Sequence, residues 1–119
     1  MDERLEKALE FSNFLETQNN QKSIFLKQYK DNLVHYKYGH KITVTPTLIS
    51  FCKSMLLLDQ EQIVVLDDNE TPFNVEDLTQ FTREILGVYT FASRKYLYDY
   101  GKIKKHRTVE GLTELWVKE

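Results

Sequence analysis

The sequence has little of what usually gives a short chain chemistry or a marked destination. One cysteine, Cys52, excludes an intramolecular disulfide framework and a zinc site built from cysteines alone. Two prolines and four glycines exclude a loop-rich scaffold. No apolar run approaches the ~18 residues expected of a membrane-spanning helix. The acidic opening Met1-Asp-Glu-Arg4 lacks the basic-then-apolar layout of a signal peptide, so a soluble intracellular protein is expected. Neither sign of charge dominates: 16 Lys and Arg against 18 Asp and Glu leave −2, which excludes a disordered polyelectrolyte and a generally cationic nucleic-acid sleeve. The 119 residues suit one domain, 1–119.

What is present is unevenly spread. Residues 1–16 carry five acids against two bases, residues 59–84 eight acids against Arg83, and residues 94–107 six bases against Asp99. The near-neutral total therefore hides an acidic start, an acidic middle and a basic late segment.

Residues 2–38 contain no Gly or Pro and predict one long helix, continuous through the polar run 16–23 because Gln, Lys and Glu propagate helices. A heptad frame selects Leu5, Ala8, Ser12, Leu15, Asn19, Lys22, Leu26, Tyr29, Leu33 and Tyr36 as its seam. Gly39 reads as the residue just past the helix end. Lys41–Thr45 alternates as a strand, and Thr45-Pro46 is a cap followed by a first-turn proline, opening an apolar helix to about Leu58. Gln62–Leu66 and Thr71–Val75 read as strands around the turn Asp67-Asp-Asn-Glu70, the second at an edge because Pro72 offers no N–H. Residues 76–107 predict a second long helix with the stripe Leu78, Phe81, Ile85, Val88, Ala92, Tyr96 and Ile103, and residues 108–119 a short tail helix.

The expected class is α+β, mainly α: two long antiparallel helices, coiled-coil-like, flanking a β-α-β-β head at 41–75. At 1.5 Å per residue the helices measure roughly 55 and 45 Å and can lie side by side. Antiparallel pairing sets the acidic start of the first beside the basic end of the last, where the charges attract.

Chemistry finds little purchase. His35, His40 and His106 stand in no metal-ligand spacing. The cluster Asp67, Asp68 and Glu70 suggests calcium or a metal-dependent hydrolase, but counting from Asp67 puts Pro72 and Leu78 where a calcium loop needs glycine and glutamate, and turn formation accounts for these residues. Cys52 has no base beside it in sequence and reads as core. No phosphate-gripping loop, nucleophile elbow or dinucleotide fingerprint occurs. The expectation is a non-enzyme with no cofactor and no metal.

Binding is the better prospect. Tyr89, Tyr96 and Tyr100 can share one helix face, with Phe91 and Tyr98 pointing elsewhere, and a two-helix hairpin cannot bury aromatics all round. With Lys102, Lys104, Lys105, Arg107 and Trp116 they form the candidate partner-binding set. The basic 102–107 segment could hold nucleic acid, with tyrosines stacking on bases. Closure of the helix dipole and pairing with the acidic first helix explain it better.

Several stretches resemble a known family. Arg4-Leu-Glu-Lys-Ala-Leu-Glu-Phe-Ser-Asn-Phe14, Asn19-Asn-Gln-Lys22, Thr45-Pro-Thr-Leu-Ile-Ser-Phe51, Val65-Leu-Asp-Asp-Asn-Glu-Thr-Pro72, Val75-Glu-Asp-Leu78 and Tyr96-Leu-Tyr-Asp-Tyr100 are similar to small proteins of T4-like phages of cyanobacteria and other marine bacteria. These look like the group labelled prohead core proteins, and the likeness runs over nearly the whole chain. Family members carry a glycine pair near the end of the first helix, where this sequence has Gly39-His40. The resemblance implies a structural or assembly protein in the internal scaffold of the capsid. It would act by protein–protein contact with capsid or scaffold proteins or with further copies of itself, in the infected host cytoplasm, the procapsid or the virion. The alternative is a small phage regulator binding transcription machinery or nucleic acid through 102–107.

Overall fold

The computed structural model describes residues 2–105. The predicted tail helix at 108–119, with Arg107 and Trp116, lies outside them. The order is α1 (Glu3–Asn32), β1 (Val34–Lys37), β2 (His40–Thr43), α2 (Pro46–Leu57), β3 (Ile63–Leu66), β4 (Pro72–Val75) and α3 (Leu78–Lys105). The described chain is mainly helical, with two small antiparallel strand pairs.

The helix α1 is continuous across 16–23 but ends at Asn32, six residues short of the expected Tyr38. Val34-His-Tyr-Lys37 is β-branched and aromatic, and it pairs with His40–Thr43 in the register Val34↔Thr43 to Lys37↔His40. Tyr38 and Gly39 form the connecting turn, both with positive φ (53° and 81°), the two-residue arrangement that matches strand twist. Gly39 is therefore a hairpin residue rather than a helix cap. The head is two hairpins around α2, β-β-α-β-β, in place of the expected β-α-β-β.

The other local signals hold. The Thr45 hydroxyl accepts the Leu48 N–H at 3.1 Å and Pro46 occupies the first turn of α2. β3 and β4 pair antiparallel from Ile63↔Val75 to Leu66↔Pro72. Their alternation puts Ile63, Val65, Phe73 and Val75 inward and Val64 and Leu66 outward. At the start of α3 the Asp77 carboxylate accepts the Gln80 N–H at 3.1 Å.

The chain groups into two compact units: Tyr29–Arg94, and α1 up to Gln28 with α3 from Lys95. In the first, Ile42, Val44, Ile49, Cys52, Ile63, Val65, Phe73, Val75, Leu78, Phe81 and Ile85 make one core cluster, with Leu48, Met55, Leu56, Val88 and Tyr89 packed on it. Two-stranded hairpins are marginal alone, and this shared cluster supplies what they lack. In the second unit, Lys22 Nζ lies 5.9 Å from the Tyr100 ring centroid and Lys95 donates to Gln28 at 3.4 Å. Asp99 is buried and takes a 2.8 Å hydrogen bond from Lys95, one turn away.

The buried seam of α1 is turned by one position from the expected frame. Phe14 is 3 % exposed while Leu5 and Leu15 are exposed. Gln18, Phe25 and Tyr29 continue the covered side. Leu26 and Tyr29 belong to the expected seam and are half-buried.

Candidate interaction surface

The polar groups of the head serve first to hold its hairpins together. Asp67 accepts the N–H groups of Asn69 and Thr71 at 2.9 Å each through Oδ1, and Oδ2 takes a 2.8 Å hydrogen bond from His40 Nδ1. The His40 hydrogen bond and the backbone donors hold its carboxyl below the ordinary value. The His40 ring stacks on Phe73 at 4.4 Å. Asp68 accepts the Thr43 N–H and hydroxyl at 2.9 and 2.7 Å, and its own N–H donates to the Lys41 carbonyl. Asp67 and Asp68, two of the three carboxylates that looked like a metal or hydrolase cluster, thus tie β2 to the β3–β4 turn.

A second polar knot lies on α3. Glu84 accepts from Lys37 at 2.9 Å and from His35 at 3.1 Å. Burial pushes its carboxyl up, but the Lys37 and His35 hydrogen bonds outweigh that and hold it low. The same Glu84 contact raises the Lys37 ammonium. Neither histidine pair has a signature in the sequence, because each closes over tens of residues. Cys52 is fully buried, and desolvation pushes its thiol up, away from a thiolate nucleophile. Among the described residues no group of three His, Cys, Asp or Glu side chains could hold a metal ion.

An open cleft remains, of about 510 Å³, lined by Leu56, Asp59, Gln60, Glu61, Glu76, Asp77 and Thr79. The reversal after α2 builds one wall: Asp59 takes a positive φ of 60°, and its N–H and that of Gln60 donate to Leu56 and Met55. The Leu78 N–H donates to the Glu61 carbonyl at 3.0 Å and fixes the start of α3 against that wall. Four acidic residues line this space, and among the described residues none joins an ion pair, although the Asp77 carboxylate is engaged with the Gln80 N–H. Beside them in the chain, Leu57 and Leu58 are 85 % and 68 % exposed. Isolated exposed leucines are ordinary, whereas these two stand together and directly precede Asp59 in the chain.

The predicted aromatic set is divided by the fold. Tyr89 is half-buried against the head core. Tyr96 and Tyr100 are half-buried and meet edge-to-face at 6.0 Å. The outward aromatics of α3 are Phe91 and Tyr98. Lys102 lies over the Tyr98 ring at 4.5 Å, and Lys104 and Lys105 end α3. Sequence reasoning found the acidic middle but not Leu57 and Leu58 as surface, because an all-apolar helix end looks buried until its neighbours are known.

No protein family, curated protein or solved structure matches this chain. Among the described residues no helix is long and apolar enough to cross a membrane.

Proposed function

We propose that the chain is a non-enzymatic assembly protein, of the kind its resemblance to phage prohead core proteins implies, whose head docks on a basic surface of a capsid or scaffold protein. The observation that carries this is the cleft formed by Asp59, Glu61, Glu76 and Asp77 next to exposed Leu57 and Leu58. Carboxylates outside ion pairs steer a cationic partner and set its orientation, while the leucines supply apolar area at the centre of contact. The lower part of α1 and the end of α3 run antiparallel in this reading. Lys22 with Tyr100 and Gln28 with Lys95 support that direction. Such a protein works in the infected host cytoplasm or the procapsid.

The test is a binding titration by mass photometry against purified phage capsid and scaffold proteins. The wild type, the Glu61→Lys/Glu76→Lys pair and Leu57→Ser/Leu58→Ser are compared at two salt concentrations. Binding that weakens with salt and drops at least about tenfold in the charge-reversed pair is expected. No binding, or binding indifferent to both substitutions, overturns the reading. Lys102 with exposed Tyr98 favours the regulator reading. Retention of single-stranded DNA that is lost on neutralising Lys102, Lys104, Lys105 and Arg107 would decide for it.

A further inference from the structure

The part of α3 that belongs to the unit Tyr29–Arg94 has an outer face of distinct make-up. Arg83, Leu86, Gly87, Thr90, Phe91 and Arg94 are all exposed and recur at spacings of three and four, one line along the helix. Both charges on this line are cationic, because Glu84, the one acidic residue of α3 before Asp99, is held by Lys37 and His35. Among the described residues neither Arg83 nor Arg94 joins an ion pair. Gly87 is the odd member. Glycine is a poor helix former, and a Cβ at this position would meet nothing within 4 Å, so the packing of the chain itself makes no use of it. A bare backbone on an exposed helix face suits the close approach of another helix.

The line runs on into the cleft, for Thr79 lines that space and stands one turn before Arg83. One surface therefore carries Asp59, Glu61, Glu76 and Asp77 at one end and two arginines farther along. Turned end for end, such a surface is complementary to itself. We propose that a second copy of this chain docks here, the two α3 helices packing antiparallel about a two-fold axis beside Gly87. An axis midway between Thr79 and Arg94 sets those two residues opposite each other, Arg83 opposite Thr90 and Leu86 opposite Gly87. Arg94 of each copy then meets the cleft of the other, within a turn of Glu76 and Asp77. Leu86 fills the gap over Gly87, and Arg83 reaches the Phe91 ring beside Thr90. The paired stretch is about 22 Å of helix. The occupant is a second copy because cleft and arginines share one face, and an antiparallel pair satisfies both ends at once; a parallel pair would set like charges together.

The inference rests on the cleft reading above, since the same acidic residues receive the cations, and it names their partner. Sedimentation velocity of the full chain over a hundredfold range of concentration tests it. A monomer–dimer equilibrium that stops at two copies and weakens with salt is expected. Glu76→Arg and Arg94→Glu should each weaken dimerisation at least about tenfold, while the chain carrying both regains most of it and the two single variants, mixed, pair with one another. Gly87→Leu should weaken it as much without lowering the melting temperature of the dilute monomer, because helix propensity rises at that position. A monomer at every concentration, growth beyond two copies, indifference to Gly87→Leu or absence of charge-swap rescue overturns the proposal. So does capture of an acidic protein by Arg83 and Arg94 in a chain that stays monomeric. A monomeric chain that still binds a basic capsid or scaffold protein fails this inference and keeps the cleft reading. A chain that dimerises as described and binds no such protein supports the dimer and fails the docking on capsid or scaffold.

Discussion

The two units of this chain are held by different physics. In Tyr29–Arg94, eleven buried apolar residues close into one cluster, and two polar knots, His40–Asp67 and Lys37–Glu84–His35, link segments far apart in sequence. In the helical unit the buried residues described are Phe14, Asp99 and Ile103, and the contacts between its described segments include a cation over a ring and one long hydrogen bond. A three-dimensional cluster lets each side chain touch many others, so loss of one is felt by all. A helix pair touches along a line, and each residue answers mainly to its neighbours across that line. The head should therefore unfold as a block and the helical unit should open by degrees.

Breaking the head at its centre has the largest expected effect. Phe81→Ala should cost about 3–5 kcal/mol, read by denaturant unfolding, because Phe81 is fully buried and central. Phe14→Ala should cost less than Phe81→Ala, and amide exchange should show the loss confined to residues of the helical unit. Equal, global losses for the two would erase the contrast between the two units. Thr45→Ala removes the cap of α2 and should cost about 0.5–2 kcal/mol, with Thr45→Asp restoring most of it.

A change of slope with pH comes next. Asp67 and Glu84 both titrate lower in the folded chain than their ordinary values. Their contribution is present above the unfolded values and is lost as pH falls below about 4 and through the folded ones. Lys37 is raised, so its share is full at neutral pH and is lost only on strongly alkaline titration. Asp67→Asn with Glu84→Gln should lower stability at pH 7 and flatten the acid limb of a melting-temperature profile. An unaltered acid limb would show that these pairs do not stabilise the head. The smallest effect belongs to Leu97→Ser on the exposed side of α3, within about 0.5 kcal/mol of the wild type.

Local signals were legible wherever a residue's own backbone decides the outcome. Thr45-Pro46 starts a helix, Pro72 stands at the first position of an edge strand, and the stripe from Leu78 to Ala92 faces inward. The end of α1 was misread for a definite reason. Leu33–Tyr38 is compatible with helix, and the partner strand that draws it into a hairpin only becomes visible when His40–Thr43 is folded back on it. The tyrosines show the same limit of local pattern. Helical spacing puts Tyr89, Tyr96 and Tyr100 on one side but cannot say which side is covered, and the fold half-buries all three while leaving Phe91 and Tyr98 outside.

By itself the sequence determined the mainly helical class, the continuity of α1 across 16–23, the cap of α2 and the acidic character of the middle segment. Each depends on neighbours within a few residues or on charge alone. Only the tertiary structure decided that the carboxylates of Asp67 and Asp68 brace a hairpin junction while those of Asp59, Glu61, Glu76 and Asp77 face an open cleft. Both groups are carboxylates of the same acidic segment. What separates them is whether a donor from a distant strand arrives within hydrogen-bond reach, and that is a property of chain path, which local pattern does not encode.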